Sequence, residues 1–85
     1  MPRQHIWKEK DRDGRKREVR ATKFGGIWRF QSKLSDEQQW TYHDFPPLED
    51  LLALQQIIAR KYRRRRASTD DVASVDKLIH DYEND

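Results

Sequence analysis

From His5 to Phe45 bulky and polar residues alternate with a period of two, and this alternation breaks only at "DRDG", "GG" and "SDEQ". A period of two, enriched in aromatic and β-branched side chains and interrupted by turn formers, confines the segment to an antiparallel meander. Strands are expected at about 5–11, 15–24, 27–34 and 39–44, a meander of three to four strands.

Charge selects the first register. A two-residue Asp13-Gly14 loop would oppose Glu9 to Glu18 and Lys10 to Arg17, and like charges directly opposite destabilise a sheet. A three-residue loop, Arg12-Asp13-Gly14, opposes Lys8 to Glu18, Glu9 to Arg17 and Trp7 to Val19, with Gly14 in the left-handed position. Gly25-Gly26 closes the second hairpin and pairs Glu18 with Lys33, Ala21 with Phe30 and Lys23 with Trp28. Both registers put Trp7, Val19, Ala21, Trp28 and Phe30 on one face, with Leu34 at its end.

The third connection has two solutions. A loop of three or five residues adds Trp40 and Tyr42 to that apolar face, whereas a loop of four turns them outward. The inward solution is expected, because a small core gains from every large aromatic it covers.

After the strands the period changes. "FPPLEDLLALQQIIARKYRRRR" places prolines at a helix entry, Glu49 and Asp50 in the first turn and cations at the end. A long helix is expected at about 47–65, with Leu48, Leu51, Leu52, Leu54, Ile58, Ala59 and Tyr62 on one face and Ile57 outside it. That face is expected to lie across the apolar sheet face. A short C-terminal helix at about 70–82 follows "STDD", where Ser68 or Thr69 can cap, and carries the stripe Val72, Val75, Leu78, Ile79 and Tyr82. The fold class predicted is α+β, a single small domain over 1–85 with frayed ends at 1–4 and 83–85 and an interhelix linker at 66–69.

A chain of 85 residues hides only about 60–65% of the surface its unfolded form exposes. Its core is therefore thin, and no deep enclosed active site is expected. With 34% apolar and 39% charged residues the chain lies near the disordered boundary, and nine aromatics (three Trp, three Tyr, three Phe) move it to the folded side. The chain has no cysteine, so disulfides, thiolate metal sites and thiol nucleophiles are not expected. The longest apolar run, "LLAL", is far below a membrane span, and a cytoplasmic protein with no membrane partner is the expectation.

Candidate chemical residues are few. His80 and Glu83 lie three apart on one helix, which is too few ligands for a metal site. His43 and Asp44 are adjacent on a strand and point to opposite faces, so Asp44 suits a turn or cap better than a catalytic pair. "FGGIW" links two strands and offers no helix N-terminus to an anion. The expectation is a non-enzymatic binding protein with no cofactor and no metal.

Charge gives the stronger lead. Residues 1–67 carry 17 Lys and Arg against 9 acids, while residues 68–85 carry 1 Lys against 6 acids. The registers above set Lys8, Glu18, Arg20, Thr22, Arg29, Gln31 and Lys33 on the outward sheet face, with Phe24 and Ile27 at its tip. Arg, Lys, Gln and Thr are the types that contact phosphates and base edges, and a narrow antiparallel sheet can enter a major groove. "RKYRRRR" adds Arg60, Lys61, Arg63, Arg64, Arg65 and Arg66, a dense field for phosphate or an acidic protein surface. The candidate nucleic-acid-binding residues are thus Arg20, Thr22, Arg29, Gln31, Lys33, Arg60, Arg63, Arg64, Arg65 and Arg66.

In element order and basic outer face, residues 5–66 resemble the three-stranded-sheet-plus-helix DNA-binding domains, such as the arm-binding domain of phage integrases. The resemblance is architectural, and it implies that Arg20 and Arg29 are the first positions to test for DNA contact. Two other readings of the same residues stand beside it. The polar face is also what any half-buried sheet presents to water, and the arginines also complement the helix dipole and can pair with the acids after residue 67. A protein-interaction module would instead use Phe24, Ile27, Ile57 or an outward Trp40 as a hydrophobic anchor.

Overall fold

The structure, a computed structural model, describes residues 3 to 84. It contains four antiparallel strands and two helices, an α+β fold, and divides into two compact units, Met1–Phe45 and Pro46–Asp85. Part of the expected fraying falls on residues 1, 2 and 85, which lie outside the described residues; Arg3 already belongs to a strand and the second helix runs to Glu83.

The first unit is a meander of β1 (Arg3–Lys10), β2 (Lys16–Phe24), β3 (Ile27–Leu34) and β4 (Thr41–His43), hydrogen-bonded in chain order. The β1–β2 register pairs Trp7 with Val19, Lys8 with Glu18 and Glu9 with Arg17, as the charge argument requires. Arg17 Nη1 donates to Glu9 Oε1 at 2.5 Å, so opposite charges meet where the alternative register would have put like ones.

At the turn the Asp11 carbonyl accepts from the Gly14 amide at 3.0 Å, and Gly14 takes a φ of +79°, which glycine adopts without a Cβ clash. Asp11 also fastens this turn from its side chain. Its Oδ1 accepts from the amides of Asp13 at 3.0 Å and Arg15 at 2.9 Å. The Arg15 amide bond, with the Arg15 guanidinium beside it and the Asp13 amide, holds the Asp11 carboxyl below the usual carboxylate range.

The β2–β3 hairpin closes at Gly25-Gly26, both at positive φ, with Phe24 opposite Ile27, Ala21 opposite Phe30 and Glu18 opposite Lys33. Facing partners share a side of the sheet, so His5, Trp7, Val19, Ala21, Trp28, Phe30 and Ser32 lie together. Val19, Ala21, Phe30, His5 and Ser32 are all buried.

β4 corrects the inward placement of Trp40 and Tyr42. Phe30 pairs with His43, Gln31 with Tyr42 and Ser32 with Thr41, so the buried side receives His43 and Thr41 while Tyr42 points the other way. The turn that sets this register bonds the Glu37 amide to the Leu34 carbonyl at 3.0 Å, and Glu37 Oε1 accepts from the Leu34 amide at 2.7 Å. Two local terms outweigh the burial-area argument. Ser32 Oγ and His43 Nε2 lie 2.5 Å apart and satisfy each other, and the Trp40 ring finds cover over two cations on the opposite side.

The second unit is a helix pair, α1 (Leu48–Arg63) and α2 (Thr69–Glu83). Pro47 stands at the N-cap of α1 with no side-chain cap bond, so Asp44 is not the cap. Leu51, Leu54 and Ile58 are buried, as is Asp50 in the first turn. The expected stripe was too wide: Leu52 is 40% and Tyr62 46% exposed. Ser68 caps α2 in a reciprocal box with Asp71, Val75 and Ile79 form the buried centre of its stripe, and Tyr82 is exposed. Gln55 Nε2 donates to Asp76 Oδ1 at 3.0 Å across the two helices.

α1 ends in an unusual way. The Arg66 amide bonds the Lys61 carbonyl at 2.7 Å and the Arg65 amide the Tyr62 carbonyl at 2.9 Å, while Arg65 takes a φ of +59°. This is the Schellman arrangement, with arginine at the left-handed position that glycine usually fills. Replacing Arg65 with glycine is expected to raise the unfolding free energy by about 0.5–1 kcal/mol, the relieved Cβ clash exceeding the extra entropy of an unfolded glycine. Urea denaturation checks this. A loss of stability would mean that Arg65 does not hold that conformation.

Candidate nucleic-acid interface

Each candidate on the sheet falls on the exposed side. Arg20 faces Gln31, Thr22 faces Arg29 and Glu18 faces Lys33, so the predicted face exists as a set of cross-strand rows. The row through Arg20 runs from Ile6 through Arg20 and Gln31 to Tyr42. Lys8, opposite Glu18, extends the next row.

Within this face Arg20 differs from the expectation of a side chain reaching freely into solvent. Its guanidinium carbon lies 4.1 Å from the centre of the Trp40 ring, and its Nε is buried without a hydrogen-bond partner. Lys33 Nζ lies 5.2 Å from the same ring. An indole over two cations is electrostatically favourable, and the stack fixes the ring and the arginine together. Arg29 is exposed and remains an extended cation of this face.

The aromatic content of the face comes from the outward solution of the third connection, against the inward one expected. Tyr42 is 70% exposed, beside Trp40, and Ile6, Phe24 and Ile27 are exposed on the same side. Carried on past Ser32 and Thr41, the observed register closes over the four residues 35–38, and only the choice among three possible loop lengths hid it. Nearby, Lys8, Lys16, Glu18 and Lys33 line a shallow groove together with Arg17 and Ser35. Its rim carries more positive than negative charge, which suits a phosphate.

In the second unit Arg60 and Arg63 occupy the last turn of α1, Arg64 is its C-cap, and Arg65 and Arg66 complete the turn. All five are exposed. Arg60, Arg64 and Arg66 line one open groove with Ile57 and Lys61, and Arg60 and Arg63 line a second with Gln56 and Ala59. Among the described residues, none of these five arginines forms an ion pair with a carboxylate. For these five arginines, pairing with the acids of α2 does not occur among the described residues, and their charge faces solvent.

The histidines divide into structural roles. His5 is buried, its ring 5.6 Å from that of Trp28; His43 bonds Ser32; His80 lies on α2 near Asn84. The Ser32–His43 spacing is that of a nucleophile and its base, but Ser32 is buried in mid-strand and the pair satisfies polarity that would otherwise be costly. No cluster of three or more metal-ligating side chains occurs among the described residues. Nor is any helix among them long and apolar enough to cross a membrane.

Comparison with known proteins gives no relative: no family model, no curated protein and no solved structure matches the chain.

Proposed function

We propose that this chain is a small non-enzymatic nucleic-acid-binding protein that uses the exposed face of its sheet and the arginine turn after α1. The observation that carries the reading is the composition of that face: an outward Trp40 lies over Arg20 and Lys33, the exposed Tyr42 stands in the row of Arg20 and Gln31, and Arg29 is an exposed cation on the same side. Cations alone would also suit water. Cations interleaved with exposed π-surfaces suit a ligand that is at once anionic and aromatic.

Titration of the protein with generic single-stranded and duplex oligonucleotides at several salt concentrations tests the proposal. Log affinity is expected to fall linearly with log salt, with a slope of about −0.7 to −0.9 for each phosphate neutralised. Absence of binding to either form at low salt would reject it.

A protein-interaction module is the second reading, and one observation favours it. Phe24 and Ile27, at the tip of the second hairpin, are 67% and 60% exposed, a pair of apolar side chains within a charged rim. Binding that is insensitive to salt and centred on this tip would support it.

A further inference from the structure

Three features compete for a role beyond general polyanion binding: the arginine turn, the Ser32–His43 pair and the aromatic row of the sheet. The arginine turn lies at the negative end of a helix dipole and recognises only charge. In the Ser32–His43 pair the serine is buried in mid-strand, out of reach of a substrate. The aromatic row offers ring faces beside its cations and so has chemistry beyond charge.

We infer that the exposed sheet face takes single-stranded nucleic acid, with bases stacking on Tyr42 and Trp40 and phosphates lying along Lys33, Lys8 and Lys16. This inference rests on the reading of that face as a nucleic-acid surface. It makes three demands of the face, and each has an observation behind it.

Bases need an exposed ring beside one already held in place, and Tyr42 is the exposed ring while Trp40 is the held one. Trp40 immediately precedes β4 and its ring lies over Arg20 and Lys33, on the side of the sheet to which Tyr42 points, so the two rings share one face and each can meet a different base. Tyr42 is 70% exposed, and Trp40 is anchored by Arg20 at 4.1 Å, so little order remains to be imposed on binding.

Phosphates need cations beside those rings. Lys33 lies 5.2 Å from the Trp40 ring and shares the adjoining groove with Lys8 and Lys16. A backbone whose bases lie on the rings can therefore continue into that groove.

A duplex meets these demands poorly. Its bases are already stacked on one another and offer no open faces to Tyr42 or Trp40. Groove reading requires cations that project, and Arg20, the central cation of the face, is folded against Trp40 with its Nε buried. The same atoms that favour a single strand thus weaken the fit to a groove.

The test is fluorescence anisotropy of the full chain with a labelled oligothymidylate of about 12 nucleotides, against a labelled mixed-sequence duplex of the same length. The single strand is expected to bind at least about 10-fold more tightly at equal salt. Tyr42→Ala is expected to weaken single-strand binding by roughly 5- to 100-fold while leaving the salt slope unchanged, and Tyr42→Phe to restore most of the affinity. Trp40 fluorescence, read in a variant with Trp7 and Trp28 replaced by phenylalanine, is expected to be quenched on binding. A Tyr42→Ala protein that binds the single strand as well as the parent overturns the inference, as does equal or tighter binding of the duplex. In both cases the broader nucleic-acid reading survives; if neither oligonucleotide binds at low salt, both fall.

Discussion

Replacing Phe30 with alanine is expected to lower the unfolding free energy by about 3–5 kcal/mol, the usual cost of emptying a large aromatic site in a core. Phe30 is 3% exposed and faces Ala21 on β2, a neighbour too small to fill the space left behind. Small domains have roughly 5–15 kcal/mol in all and short chains tend to the lower part of that range. The variant should therefore melt more than about 10 °C below the parent, read by circular dichroism. Tyr42→Ala is the matched control. It lies across from Gln31 with 70% of its surface in water, and its effect should stay within about 0.5 kcal/mol. Similar losses from both variants would contradict the division of the sheet into a buried and an exposed side.

The second large effect concerns the arginine turn. Changing Arg63, Arg64, Arg65 and Arg66 together to glutamine is expected to reduce the salt slope by roughly 3 and to lower affinity at about 0.1 M salt by about 100-fold or more. These side chains are exposed and paired with no carboxylate among the described residues, so their charge is not already spent on the fold. Contacts of this kind do not distinguish bases. Loss should therefore be equal across oligonucleotide sequences. Substitutions in the sheet should behave differently: Arg29→Gln with Gln31→Ala is expected to alter preference among single strands more than total affinity. Measured side by side over several sequences, equal and sequence-independent losses from both sets would reject this division of roles.

The two glycine-closed hairpins could be read from sequence because each register had a local penalty on its competitor. Glu9 opposite Glu18 excluded one loop at the first turn, and two adjacent glycines at positive φ admitted one loop at the second. No such penalty acts on the connection to β4. Every residue of "SDEQ" tolerates loops of several lengths, so the choice fell to a burial argument that counted aromatic area and left out cation–π cover and the Ser32–His43 bond. That one choice separates a merely basic face from an aromatic and basic one. The candidate cations were placed by alternation alone, and their partners were not: periodicity says that Arg20 points outward and nothing about Trp40 above it. The positive φ of Arg65 and the burial of Asp50 had no sequence signal, since neither position carries the residue type that its environment usually selects.

The most direct measurement is amide-shift mapping of the full chain during titration with single-stranded oligothymidylate at low salt. Shifts are expected at Arg20, Arg29, Gln31, Lys33, Trp40 and Tyr42, with a second set from Arg60 to Arg66. The buried-side residues Val19, Ala21 and Phe30 should move little. Spectra that do not change, or that change only at Phe24, Ile27 and Ile57 and in step with protein concentration, would contradict nucleic-acid binding by this face and favour a protein contact.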